Sequence, residues 1–159
     1  MKKQKGFSLI ELLIVVAIIL IIAAIAIPNL LRSKMAANES SAVGSMRTIN
    51  TAEVSYVTAY PNQGFSADLP SLGGAAPCLV ATTAAACLID NTLALATGVP
   101  KSGYLFTYAP AGAPPNTYTL SGLPSLAGST GQRGFFTDQT GVIRYSITGA
   151  ATVASSPIQ

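Results

Sequence analysis

The chain has 159 residues, half of them hydrophobic and only 9% charged, with nine basic side chains, six acidic ones and no histidine or tryptophan. That length suits one domain, or one domain with an appendage, and composition favours the appendage: apolar residues crowd into the first thirty positions, while the remainder is rich in Ala, Ser, Thr, Gly and Pro. Two cysteines without an imidazole do not make a four-ligand zinc or haem site, so no metal or cofactor is expected.

The positive charge is local. Lys2, Lys3 and Lys5 carry all of it; beyond residue 6, Arg32, Lys34, Arg47, Lys101, Arg133 and Arg144 are balanced by Glu11, Glu39, Glu53, Asp68, Asp90 and Asp138. No run of Lys and Arg is left to neutralise a row of phosphates, and nucleic acid is not an expected partner. Without histidine, a close acid pair or a nucleophile beside a base, the chain lacks equipment for catalysis, and an enzyme, anchored or otherwise, is not expected.

Residues 1–6 are short, polar and basic. Residues 7–31 contain only Ser8, Glu11 and Asn29 as polar members, and about 20 helical residues cross a 30 Å hydrocarbon core, so this stretch reads as a membrane span. Three lysines precede it and only Arg32 and Lys34 closely follow, which places the N-terminus in the cytoplasm and the rest of the chain outside. The competing reading is a cleaved secretory signal, since Ala24-Ile25-Ala26 has the small-x-small pattern. The apolar run is too long for that, Pro28 lies just past the supposed cut, and Glu11 interrupts the run.

The helix is expected to continue over residues 32–60. Residues 35–60 hold no proline and a single glycine, Gly44, and the larger apolar residues Val43, Met46, Ile49, Val54, Val57 and Tyr60 recur at helical spacing. Asn38, Glu39, Ser40, Arg47, Asn50, Glu53 and Thr58 then form a solvated or partner-facing side. Tyr60-Pro61 ends the helix, because the residue before a proline is pushed out of helical geometry.

Residues 61–99 read as loop. Cys78 and Cys87 fall within them, and in a chain opening with an export-type segment the pair reads as a disulfide, two unpaired thiols being the alternative. The bridge closes a ten-residue loop, which the chain-entropy account rates at about 2.7 kcal/mol. Beyond Lys101 come four short β-type runs, over 104–108, 118–122, 134–137 and 142–147, joined by the turn-rich segments 111–116 and 138–141. Residues 150–159 look like a loose tail. The expected fold is α+β: a long N-terminal helix, membrane-spanning in its first half, packed on a small antiparallel four-stranded sheet within a globular region of residues 61–159.

Gly6-Phe7-Ser8-Leu9-Ile10-Glu11, followed by the apolar run from Leu12, resembles the class III signal of type IV pilins and the related pseudopilins of type II secretion. A basic leader ends in glycine, phenylalanine follows, and an acid sits four residues after it. The resemblance covers residues 1–60 and implies a pilin-like fold, cleavage between Gly6 and Phe7 by a prepilin peptidase, and N-methylation of Phe7. It implies pairing of Glu11 with the Phe7 ammonium of a neighbouring subunit during self-association into a helical filament. Implied partners are the peptidase, the inner-membrane pilus or secretion assembly machinery, and membrane lipid before assembly. The implied location is the inner membrane for the precursor, then an extracellular pilus.

The residues give their own reasons. Glycine lets the backbone before the scissile bond extend without crowding. A carboxylate within a span costs about 2 to 3 kcal/mol on insertion scales, so Glu11 asks for a partner. Pro28 removes the hydrogen bond to the Ala24 carbonyl and predicts a kink or a locally melted turn, a region in which the resemblance implies filament extensibility. Between the two assembly roles, the widely separated Asp68, Asp90 and Asp138 do not form the calcium loop of a major pseudopilin and favour a pilin. Cys78 and Cys87 lie mid-chain, unlike the C-terminal pair of many major pilins.

Overall fold

The computed structural model describes residues 7–74, 77–78 and 80–158; Gly6 and the leader lysines lie outside the described residues. The chain divides into two units, Met1–Lys34 and Met35–Gln159, and helix α1, Leu9–Ala59, contributes its first part to one and its second part to the other.

In the first unit α1 is apolar on every side and exposed along its length, from Leu9 to Leu31. By length and composition it can cross a membrane, and a helix satisfies its backbone polar groups internally, as a hydrocarbon environment requires. Helical geometry continues through Pro28, which lies inside α1.

In the second unit α1 buries Glu39, Ala42, Ser45, Met46, Ile49, Ala52, Glu53 and Tyr56. Glu39, Ala42, Met46, Ile49, Glu53 and Tyr56 alternate spacings of three and four, the period of a helix packed along one stripe. Large apolar residues alone had pointed elsewhere: Met46 and Ile49 are buried as expected, but Val54 is 66% exposed, and the supposedly solvated Glu39 and Glu53 face inward. The alanines make room for close approach, and each glutamate finds donors on a loop of the same unit.

Glu39 Oε1 accepts the Gln132 N–H at 2.9 Å and the Arg133 N–H at 3.1 Å, while Oε2 receives the Arg133 guanidinium at 2.7 Å. Arg133 also lies over the rings of Phe135 and Tyr145, 5.8 and 5.6 Å from their centroids. Burial opposes ionisation of Glu39, but the Gln132 N–H, the Arg133 guanidinium and the Arg133 N–H outweigh it, holding the carboxyl below its ordinary 4.5. A carboxyl depressed in the folded state stabilises the fold above its unfolded value and loses that contribution as pH falls through the folded one. The stability difference between the parent chain and Glu39→Gln should therefore shrink as urea unfolding is followed from neutral pH to below 4.5. A difference that is constant with pH would remove the ion pair from the account.

Glu53 is fully buried. Its Oε1 accepts the Ser66 hydroxyl at 2.5 Å and its Oε2 the Ser66 N–H at 3.0 Å; the Tyr108 hydroxyl in turn donates to the Ser66 carbonyl at 3.0 Å. Burial raises the phenols of Tyr104, Tyr108 and Tyr118 well above the ordinary 10, keeping them as donors. Tyr104 donates to the Arg133 carbonyl and Tyr118 to Asn50 Oδ1 on α1, at 2.8 and 3.0 Å.

After α1, the loop at Gly64 turns back on the sheet. Its φ is +69°, and a Cβ there would collide with the Pro115 carbonyl, to which the Phe65 N–H donates at 2.9 Å. Two short helices follow in the region read as loop: α2, Leu69–Leu72, and α3, Asn91–Ala94. Asp68 and Asp90 cap them, accepting the N–H of Ser71 at 2.9 Å and of Leu93 at 2.8 Å. Four residues are too few to show a helical period, and the capping aspartates are the sequence signal for these helices.

The sheet is an antiparallel meander in the order β1-β2-β3-β4-β5, with five strands rather than four: β1 Tyr104–Gly112, β2 Pro115–Pro124, β3 Gly134–Asp138, β4 Arg144–Ser146 and β5 Ser156–Pro157. The turn-rich segment 111–116 shrinks to Ala113-Pro114, because Pro110 can continue an edge strand where its missing N–H is not needed. Turn 138–141 closes as expected, with the Gly141 N–H on the Asp138 carbonyl at 2.9 Å. The expected loose tail supplies β5, held by the Ile158 N–H on the Ile143 carbonyl at 2.8 Å and by Arg144 Nη1 on the Ser155 carbonyl at 3.0 Å. Two residues, one a proline, carry no alternation from which to read a strand.

Cys78 and Cys87 are joined in a disulfide. The segment after it zips onto α2, with Ala86, Cys87 and Leu88 N–H groups on the carbonyls of Ser71, Gly73 and Leu72, each at 2.8 Å, and the Tyr56 hydroxyl holds the Thr83 carbonyl at 2.8 Å. Replacing both cysteines by serine should cost about 2 to 3 kcal/mol in chemical denaturation, the loop entropy of the unfolded chain. An unchanged midpoint would show that the hydrogen bonds suffice alone.

Candidate assembly site at the amino terminus

The residues that sequence singles out for processing and assembly cluster at the start of α1. Phe7 and Ser8 precede the helix. Phe7 is 79% exposed, and the residues after it turn Leu9, Ile10, Leu12 and Leu13 outward as well.

Glu11 is not unpartnered in the single chain. Its Oε2 accepts the Ser8 backbone N–H at 2.8 Å, and the Leu12 N–H donates to the Ser8 carbonyl at 3.3 Å. Ser8-Leu9-Ile10-Glu11 thus carries the reach-back half of a capping box, in which an acid at the third helical position satisfies the N–H of the cap residue. The Ser-x-x-Glu spacing before an apolar run could have revealed this from sequence. The acid also complements the positive end of the helix dipole. Among the described residues, nothing donates to Glu11 Oε1, which leaves one carboxylate oxygen for a cation from outside the chain.

The structure therefore brings Phe7 and Glu11 to one helix terminus and keeps Pro28 inside the apolar helix, while Cys78 and Cys87 belong to the other unit and serve its fold.

The fold thus joins an apolar helix, whose first turn Glu11 caps, to an α+β pilin-like unit. The family described as the prokaryotic N-terminal methylation motif matches residues 1–27. The chain is 46% identical over 54 residues to the type IV major pilin protein PilA of Myxococcus xanthus, covering 34% of this chain and 24% of that one. It is 60% identical over 40 residues to the type IV wide pilus major component PilA4 of Thermus thermophilus, covering 25% and 30%. A fimbrial protein of Pseudomonas aeruginosa is 49% identical over 57 residues, covering 36% and 37%. The chain thus spans about a quarter to a third of the length of the curated relatives it matches. No solved structure matches it.

Proposed function

We propose that the chain is the precursor of a structural subunit of a type IV pilus filament. A prepilin peptidase cleaves it after Gly6 and methylates the Phe7 amine, and inner-membrane assembly machinery transfers the subunit from the bilayer to the filament. The observation that carries this reading is the exposed apolar part of α1, which begins with a methylation motif and ends its first turn on the capped Glu11. A mere anchor does not need that carboxylate. A filament does: the Phe7 ammonium of one copy meets Glu11 of the next, and in a low-dielectric interior such a pair fixes register. Pro28 supplies a point where the helix lacks one internal bond and can extend.

Processing is tested by replacing Gly6 with a bulkier residue. Accumulation of full-length chain, seen as intact mass, is expected, and normal maturation to a chain starting at Phe7 would remove the peptidase from the account. Electron microscopy of sheared surface material separates the pilin from the type II secretion pseudopilin: long fibres containing this chain are expected. The similarity to a type IV major pilin, a type IV wide pilus major component and a fimbrial protein supports the pilin.

A further inference from the structure

Arg32 and Lys34 follow the last apolar residue of the first unit, Leu31, and both are exposed. Among the described residues neither has a hydrogen-bond acceptor or an acid partner, and the salt bridge present joins Arg133 to Glu39. The chain's acids are engaged elsewhere: Glu11 with the Ser8 N–H, Glu39 with Arg133, Glu53 with Ser66, and Asp68, Asp90 and Asp138 with the turns they cap. Among the described residues these two cations therefore have no counterpart reserved for them.

We propose that Arg32 and Lys34 form a collar that binds the phosphate groups of anionic lipid at the outer face of the membrane and fixes the depth of the helix. Two arguments identify this partner. Residues 9–31 rise about 34 Å as a helix against a hydrocarbon core of about 30 Å, which brings Arg32 and Lys34 to headgroup level. In addition, two residues apart on a helix is about 200° of rotation, so the side chains leave from opposite sides. One docked protein cannot meet both, whereas a lipid surface surrounds the helix, and long basic side chains reach outward to it. The collar works against the inside-positive bias of the leader lysines, so orientation does not account for it. The inference rests on the membrane stage of the proposed function.

The test places the full-length chain in phosphatidylcholine vesicles containing trace spin-labelled phosphatidylglycerol or spin-labelled phosphatidylcholine, and measures the motionally restricted fraction of each by electron paramagnetic resonance. The expected result is a preference for the phosphatidylglycerol label of roughly fivefold or more, weakened by salt and clearly reduced in the Arg32→Gln/Lys34→Gln variant, which keeps only the leader lysines' share. Glutamine is a good helix former, so the variant keeps the helix. Equal restriction of the two labels, or a preference unchanged in the variant, overturns the collar while leaving the span intact. No restricted lipid of either kind shows that the chain does not enter the bilayer, and overturns the membrane stage and the collar with it.

Discussion

Glu11→Val should leave a precursor that inserts and is cleaved but yields no filaments, and Glu11→Gln should share the assembly defect while keeping an intact helix start. The two variants separate the two jobs of one side chain. In the single chain Glu11 caps the Ser8 N–H at 2.8 Å. Glutamine performs that cap as well as glutamate does, and the cap contributes about 1 kcal/mol; valine removes it. Only the carboxylate can answer an ammonium. Removing one partner of a buried pair leaves the other charge uncompensated, at a cost of about 3 to 5 kcal/mol per contact, and every contact along a filament repeats it. Filament yield after shearing reads the pairing, and circular dichroism with amide exchange at Ser8 reads the cap. Wild-type filament yield from Glu11→Gln would reduce Glu11 to a capping residue and leave register to the apolar surface.

The second large effect concerns the globular unit. Glu53→Ala should destabilise it by about 2 to 3 kcal/mol in chemical denaturation, because the Ser66 N–H loses its acceptor in a site closed to water. The Ser66 hydroxyl has a substitute, since the Tyr108 hydroxyl lies 3.1 Å away, but the backbone N–H has none among the described residues. Glu53→Gln retains an amide oxygen and should lose less than half as much. A loss below about 0.5 kcal/mol for alanine would mean that the loop after α1 shifts to reach solvent and that the carboxylate does not fix it. Glu53 and Glu39 are fourteen residues apart on α1, about 21 Å along the helix. One clamps the loop that leaves the helix and the other the connection between β2 and β3. Apolar contacts between them supply cohesion without choosing a register, and two point attachments choose it.

The same physics separates what was legible from what was not. The first sixty residues could be read because their signals are local: a glycine before a phenylalanine, an acid four residues on, an uninterrupted apolar run, a proline that stops the second half of the helix. The exposed first part of α1 and the helix end at Ala59 follow directly. The meander was legible because turn residues separate its strands. The reach-back of Glu11 to Ser8 is also local, and Ser-x-x-Glu is its signature.

The Gly6 to Glu11 signal, the apolar helix and the order of the antiparallel strands were thus determined by the sequence itself, since neighbours along the chain decide them. Tertiary structure alone decided which face of α1 is buried, that Glu39 and Glu53 lie inside, that the Cys78–Cys87 loop is held by Tyr56, and that Ser156–Pro157 completes the sheet. A carboxylate is buried only where donors converge on it. Those donors, Gln132, Arg133 and Ser66, reach it by the folding of loops, and no periodicity along the helix records where they will stand.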